Sequence, residues 1–323
     1  MCIRCHGLAL TIIKSYETER NGKRKLYCCD DCYHVFSDTA NTFMAGIRKP
    51  IDFVIRVLTA RTEGLSFNAT CRTFSISKHT LLDWEKKIKP IKNTLMIYSL
   101  SKKFITQIIE GDEAYTKVYK NVPPEESEGW TITLMERASR FIWEMACGKK
   151  DEKLFLIAIK QLLLVIQQTQ DITLLTDGER RYGNFLFDLC AEVIKSELPG
   201  RPKKTLPQGI KVRLKNKGSQ SHKRGPKKKK YVSPKPEHPE TTQNITSNDI
   251  HANHLEATHS SLRRRDSTYR RKTNTYAKHK SGLQRTLDLF WVNHNFIKEH
   301  FTTEKVPAVA MNILERPITW NDV

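Results

Sequence analysis

The chain has 323 residues, 38% of them hydrophobic, and its 55 Lys and Arg against 35 Asp and Glu give a formal net charge of +20. That length and apolar content support a substantial core in two or three domains, and the charge favours a polyanionic partner, nucleic acid before a membrane surface. No apolar run is long enough for a membrane-spanning helix, since the best, Leu154 to Ile166, is short and carries Lys160, and the opening residues do not read as a signal peptide.

Residues 1–46 begin with two cysteine couples, Cys2-Ile-Arg-Cys5 and Cys29-Asp-Asp-Cys32. Each couple sets two thiolates on one tight turn, and two such turns close the tetrahedron of a structural zinc site. The basic stretch between them, with Asn21-Gly22 as a turn, suits a hairpin and hence a zinc ribbon. Disulfides or unrelated thiols are the alternative, disfavoured because nothing else looks secreted. Cys28 adjoins the second couple, so either Cys28 or Cys29 binds metal; the spacing Cys-x-x-Cys-x-x-x-Phe that ends at Phe36 favours Cys29. The remaining Cys71, Cys147 and Cys190 lie among apolar residues and read as core thiols in a reducing compartment.

Residues 47–95 read as all-α. Ile51, Val54, Ile55, Val57 and Leu58 recur at helical spacing. Ser66 caps a short helix ending near Phe74, Ser75-Ile76-Ser77 breaks the chain, and a further helix runs from Lys78 to Lys87 with Leu81, Leu82 and Trp84 on its apolar side. Helix, short turn and helix form a helix-turn-helix pattern that offers Lys78, His79, Thr80 and Asp83 to a DNA groove, the alternative being a plain helical spacer.

From residue 100 to 323 the pattern becomes α/β. Phe104 to Glu113, Trp130 to Leu134 and Phe141 to Ala146 read as strands, Leu154 to Gln168 as a helix, Asp171 to Gly178 as a strand and Tyr182 to Leu198 as a helix. That order is the one expected of a ribonuclease-H-like domain. Residues 200–250 form a basic insertion, partly flexible, densest at Lys227, Lys228, Lys229 and Lys230. Within it Gly209 to Lys215 alternates apolar and basic residues like a strand with a charged face. Gly200-Arg201-Pro202-Lys203 has the look of a minor-groove hook, and the insertion as a whole suits phosphate contacts weakened by salt. Beyond 250, Leu255 to Arg265 reads as a helix with its acid first and Arg263, Arg264 and Arg265 last. An apolar stripe, Leu283, Leu287, Phe290, Trp291, His294 and Ile297, then closes the domain, with His294 a packed core histidine.

Asp112 and Asp177 each end a strand; were those strands neighbours, their ends would share a crevice that Glu256 could complete. Three carboxylates are hard oxygen ligands for Mg²⁺ or Mn²⁺ and suit metal-dependent phosphoryl transfer. By position alone Asp177-Gly178 reads first as a turn and Glu256 as a first-turn helix acid, and Glu110 and Glu113 flank Asp112 as substitutes.

The string Gly111-Asp112-Glu113-Ala114-Tyr115-Thr116-Lys117-Val118 resembles the Asp-Glu-aromatic motif of bacterial transposases of the insertion-sequence-one family. Leu175-Thr176-Asp177-Gly178 with Tyr182-Gly183 is similar to that family's second aspartate motif, Glu256 with Leu262-Arg263 to its glutamate helix, and Cys29-x-x-Cys32-x-x-x-Phe36-Ser37-Asp38 to its zinc-finger segment. The resemblance covers nearly the whole chain and implies an Asp-Asp-Glu transposase. Asp112 and Asp177 would hold a shared Mg²⁺ or Mn²⁺ and Glu256 a second; the zinc and helical modules would bind terminal inverted repeats of double-stranded DNA; Arg263 to Arg265 would hold phosphates. A homodimer or larger assembly on DNA, in a prokaryotic cytoplasm beside the nucleoid, is also implied. Two features depart from the family: the basic insertion is longer, leaving Glu237 or Glu240 as rivals for the third acid, and His259 stands where relatives often carry asparagine. A DNA-binding regulator with an inactive catalytic domain, or a ribonuclease-H-like nuclease or resolvase, are the other function classes the sequence admits.

Overall fold

A computed structural model describes residues 1–18, 22–120, 122–176, 179–194, 203–214, 235–236, 251–270 and 274–323. Asn21, Asp177, Gly200, Arg201, Pro202, Lys227 to Lys230, Glu237 and Glu240 lie outside the described residues.

The head is a small antiparallel sheet of β1 (Leu10–Thr18), β2 (Gly22–Cys29) and β3 (Val35–Ser37). The hairpin expected between the cysteine couples is present, with Thr18 opposite Gly22 and Leu10 opposite Cys29. Gly22 has φ +63, a left-handed conformation that costs glycine little.

Four helices follow: α1 (Ile51–Thr62), α2 (Phe67–Thr73), α3 (Lys78–Lys86) and α4 (Ile88–Leu100). Local chemistry sets the two short ones. The Ser66 hydroxyl accepts from Ala69 N–H and that of Ser77 from Thr80 N–H, each satisfying an otherwise orphaned first-turn donor. Between them Ser75 takes φ +50 and breaks the helix. The all-α reading of this stretch holds, but α4 runs past 95 to Leu100. Pro90 does not stop it, because it sits in the first turn, where its missing N–H has no partner to lose.

The rest is a mixed α/β unit around a six-stranded sheet. In chain order its elements are β4 (Phe104–Tyr115), β5 (Trp130–Glu136), β6 (Ile142–Gly148), α5 (Glu152–Ile166), β7 (Thr169–Thr176), α6 (Arg181–Cys190), β8 (Glu192–Ile194), β9 (Lys203–Thr205), β10 (Ile210–Leu214), β11 (Lys235–Pro236), α7 (Asn253–Arg265), α8 (Lys280–Val292) and α9 (Pro307–Ala310). The sheet order is β11-β10-β7-β4-β5-β6. β10, β7 and β4 are parallel; β5, β6 and β11 run antiparallel to their neighbours. β4 and β7 are therefore adjacent, as the shared crevice requires, with Gly111 opposite Thr176.

Three expectations need correction. Asp112 does not end its strand, since β4 continues to Tyr115. The helix from Tyr182 stops at Cys190: Ala191 turns extended, and Glu192 to Ile194 pairs with Lys203 to Thr205 instead. The strand after Gly209 forms, but its basic residues are not a solvated face. Lys211 and Arg213 are buried where β10 joins β7, and Lys211 Nζ reaches Asp171 Oδ1 at 2.7 Å.

Helix α8 closes the sheet at β6. Gln284 accepts from Cys147 N–H and Asn295 from Ile142 N–H, while the Trp291 indole donates to the Ile142 carbonyl. Side chains thus take the backbone groups that an edge strand leaves unpaired. His294, in the π-helical turn Asn293–Ile297 that extends α8, is a core histidine as expected. It donates to the Arg140 carbonyl at 2.8 Å and stacks on Phe290. The apolar core is continuous from Val54, Leu58, Leu81 and Ile88 to Phe141, Trp143 and Trp291. Buried charges cross the same boundary: Lys92 of α4 lies 3.0 Å from Asp288 of α8 and 3.6 Å from Glu144 of β6. Among the described residues no helix is long and apolar enough to cross a membrane.

Candidate metal centres

The cysteine couples converge. Cys2, Cys5, Cys29 and Cys32 present sulfurs that all lie within 4.8 Å of one another. Cys2 Sγ is 3.5 Å from Cys32 Sγ, and Cys5 Sγ is 3.4 Å from Cys29 Sγ. Disulfides are ruled out, since a bonded pair would sit at about 2.05 Å, and all eight cysteines are free. A tetrahedron with zinc–sulfur bonds of about 2.3 Å has edges of about 3.8 Å, so the set is compatible with a structural zinc site. Cys29, not Cys28, belongs to it; Cys28 Sγ instead lies 3.7 Å from the Cys29 carbonyl. The knuckle turn aims Arg4 N–H at Cys2 Sγ at 3.4 Å. Burial pushes the Cys2 thiol up, but backbone N–H groups of Cys5 and Arg4, helped by the Cys32 and Cys5 thiols, outweigh it and bring Cys2 down to about 6. Cys5, Cys29 and Cys32 are pushed up instead, so among the four it is Cys2 that most readily takes the thiolate form a metal binds.

The second centre is built on β4, whose alternation sorts its acids. Glu110 and Asp112 face α7. Gly111 and Glu113 face the opposite side, where a side chain at 111 would press on Tyr182 of α6 at 3.3 Å. Asp112 is partly open, and its Oδ2 lies 3.4 Å from His259 Nδ1 on α7. The other ring nitrogen of His259 is 3.3 Å from the Thr133 hydroxyl on β5. Glu256 lies one turn before His259 on the same helix and is exposed. The structure thus brings Asp112 against the helix that carries Glu256. Asp177 follows Thr176, the last residue of β7, which is in register with Gly111.

The two rivals of Asp112 are engaged elsewhere. The Glu113 Oε2 receives Lys150 Nζ at 2.7 Å. Burial pushes its carboxyl above the usual range, against the pull of Lys150. Lys150 also lies 3.6 Å from Glu179, which Arg181 grips at 2.9 and 2.7 Å. This network fixes the chain just after 178. Glu110 is wholly buried and takes Arg137 Nε at 2.7 Å, His254 Nδ1 at 2.9 Å and Leu255 N–H at 2.9 Å. Glu110, His251 and His254 bring potential ligand atoms within 4.8 Å. The Glu110 carboxylate is also engaged through both oxygens, by Arg137 and by the Leu255 N–H, in a hydrogen-bonded clamp.

Of the groups expected to meet DNA, Lys78 and His79 are exposed at the start of α3 and Thr80 is half-buried. His79 pairs with Asp83 at 2.9 Å. Lys203 opens β9. Arg263, Arg264 and Arg265 form the last turn of α7. That turn abuts the loop between α1 and α2: Gly64 has φ +103, and a side chain there would meet the Arg264 carbonyl oxygen at 2.9 Å. Sequence reasoning missed the Glu110–Arg137–His254 clamp and the contact between His259 and Asp112. The two-residue spacing of Glu110 and Asp112 on a strand was the available signal. The chain matches no known protein-family model, and no curated protein matches it.

Proposed function

We propose that the chain is a DNA transposase of the Asp-Asp-Glu type, in which a ribonuclease-H-like domain cuts and joins strands while a zinc ribbon and helix-turn-helix bind terminal inverted repeats. One observation carries the reading: β4 and β7 are parallel neighbours in register at 111 and 176, and α7 lies on the β4 face that bears Asp112. That arrangement supports the reading, because Asp112 meets the helix that carries Glu256 and lies on the strand next to the one that Asp177 follows. Carboxylate oxygens from Asp112, Asp177 and Glu256 are a donor set suited to Mg²⁺ or Mn²⁺. Such ions, when bound, polarise the phosphodiester and activate the attacking hydroxyl.

The chain's own residues supply the rest. His259 holds the Asp112 carboxylate toward α7. The Glu179–Arg181–Lys150 network anchors the exit of the segment after β7. Arg263 to Arg265 and the exposed start of α3 offer cations to the DNA backbone, with the insertion residues Arg201, Lys203 and Lys227 to Lys230 adding more. Two element ends must be joined, so a dimer or larger assembly on DNA follows from the reading. Asp112→Asn tests it on a duplex carrying the inverted repeats that flank the coding region. End cleavage and strand transfer should vanish while end binding persists. Cleavage that survives the substitution removes Asp112 from the reaction. Strand transfer absent from both forms leaves a regulator.

A further inference from the structure

Within its own segment helix α7 has a long 3.4 Å contact from Asn253 N–H to His251 Nδ1, but no local cap at Leu255 N–H. Its N-cap residue is Ala252, which has no side chain to accept the first-turn N–H groups. The missing acceptor comes from another element. Glu110 of β4, 144 residues or more earlier in the chain, accepts Leu255 N–H at 2.9 Å and meets His254 Nδ1 at 2.9 Å. Its charge is met by the Arg137 Nε at 2.7 Å, and the far end of Arg137 donates to the His251 carbonyl. A lone buried carboxylate would be costly; here a guanidinium and the positive end of a helix offset it.

The same strand touches the same helix a second time, at Asp112 and His259. The two contacts are commensurate. Two residues of strand advance about 6.6 Å, and the four residues of helix from 255 to 259 advance about 6 Å. Helix and strand therefore run side by side, pinned at Glu110 and touching again at Asp112. Glu256 immediately follows the pinned amide.

We propose that Glu110 is a positioning residue: it sets the axial register of α7 on β4 and thereby holds Glu256 beside Asp112, without ligating metal itself. This rests on the reading that Asp112 and Glu256 belong to one divalent-ion site. The clamp is independent of that reading, because its atoms are distinct from those of the two acids.

The test uses the full zinc-loaded chain, with Mn²⁺ binding followed by electron paramagnetic resonance and amide exchange followed at Leu255 and Glu256. Glu110→Gln keeps the shape and loses the charge. It should weaken Mn²⁺ binding by about 10- to 100-fold, the usual effect of removing a support behind a ligand, and speed exchange at those two amides, with zinc content unchanged. Wild-type Mn²⁺ affinity and exchange in Glu110→Gln overturn the inference alone. Mn²⁺ uptake that is absent in the wild type, or undiminished in Asp112→Asn, overturns the site reading beneath it. Mn²⁺ binding lost in His251→Ala and His254→Ala but kept in Asp112→Asn makes Glu110 a ligand and also overturns the inference. If Glu110→Gln fails to fold, Arg137→Lys carries the same two measurements, since it keeps the cation but loses the fork that reaches both Glu110 and the His251 carbonyl.

Discussion

The cysteine head and the acidic face of β4 are both candidate metal centres, and they are assembled in opposite ways. The head takes four soft ligands from two knuckles joined by one hairpin, all within residues 2 to 32. The site proposed on the sheet face would draw on β4, the end of β7 and α7, with 144 residues between Asp112 and Glu256. The head has little apolar core of its own, since Leu8, Ile12, Ile13, Tyr33 and Val35 are exposed, and in such small modules a bound metal carries much of the folding energy. The sheet face is held by a large core. Local spacing can therefore announce the first site, while the second, as proposed, would depend on tertiary structure.

The sharpest way to break that contrast is to remove zinc. Chelation, or Cys29→Ser, should unfold the head, since structural zinc contributes about 10–16 kcal/mol to such modules, and leave the sheet's cooperative melting in place. Cys28→Ser should retain zinc, measured by metal analysis of the purified chain. Loss of both transitions together would mean that the head and sheet are one cooperative unit.

Next in size is the lock between α4 and the sheet. Lys92 is nearly fully buried. Burial works to lower its pKa, but Glu144 and Asp288 outweigh it and raise it. Lys92→Ala strands two buried carboxylates and should cost about 3–5 kcal/mol in urea unfolding, with zinc content unchanged. A loss under 1 kcal/mol would show that the apolar contacts alone join the two parts.

His294 gives a pH signature to the sheet side. Burial, against the pull of the Arg140 carbonyl, lowers its pKa from 6.5 to about 4. Between those values the unfolded chain takes the proton first, so this contribution is complete above pH 6.5 and fades as pH falls toward 4. From pH 7 to pH 5 the loss should be about 2 kcal/mol, and His294→Gln should flatten it in denaturant titrations. The smallest effect belongs to the helices between the two centres: Ser77→Ala should cost about 1 kcal/mol by removing the α3 cap, with a lower melting temperature as the readout.

Legibility followed the reach of each interaction. The Ser66 cap, the two-knuckle spacing and the packed His294 could be read because each depends on neighbours or on a short apolar period. The adjacency of β4 and β7 was foreseen only as a condition, since strand pairing is not written in either strand. Lys211 and Arg213 misled because basic alternation normally marks a wet face; Asp171 on the neighbouring strand neutralises Lys211 and lets it be buried. The helix from Tyr182 is shorter than its sequence suggests because pairing with Lys203 to Thr205 overrides local preference at Glu192 to Ile194. Glu110 reads in the sequence only as a substitute for Asp112, because the helix end that it grips begins more than 140 residues later.

The way α8 answers the backbone of β6 bears on how copies of this chain can meet. An open strand invites a second molecule to continue the sheet, and at β6 Gln284, Trp291 and Asn295 have already taken the hydrogen bonds such a visitor would make. Strand-by-strand growth is thereby blocked on that flank, and copies of this chain that meet there must do so through side chains, without seeding a fibre.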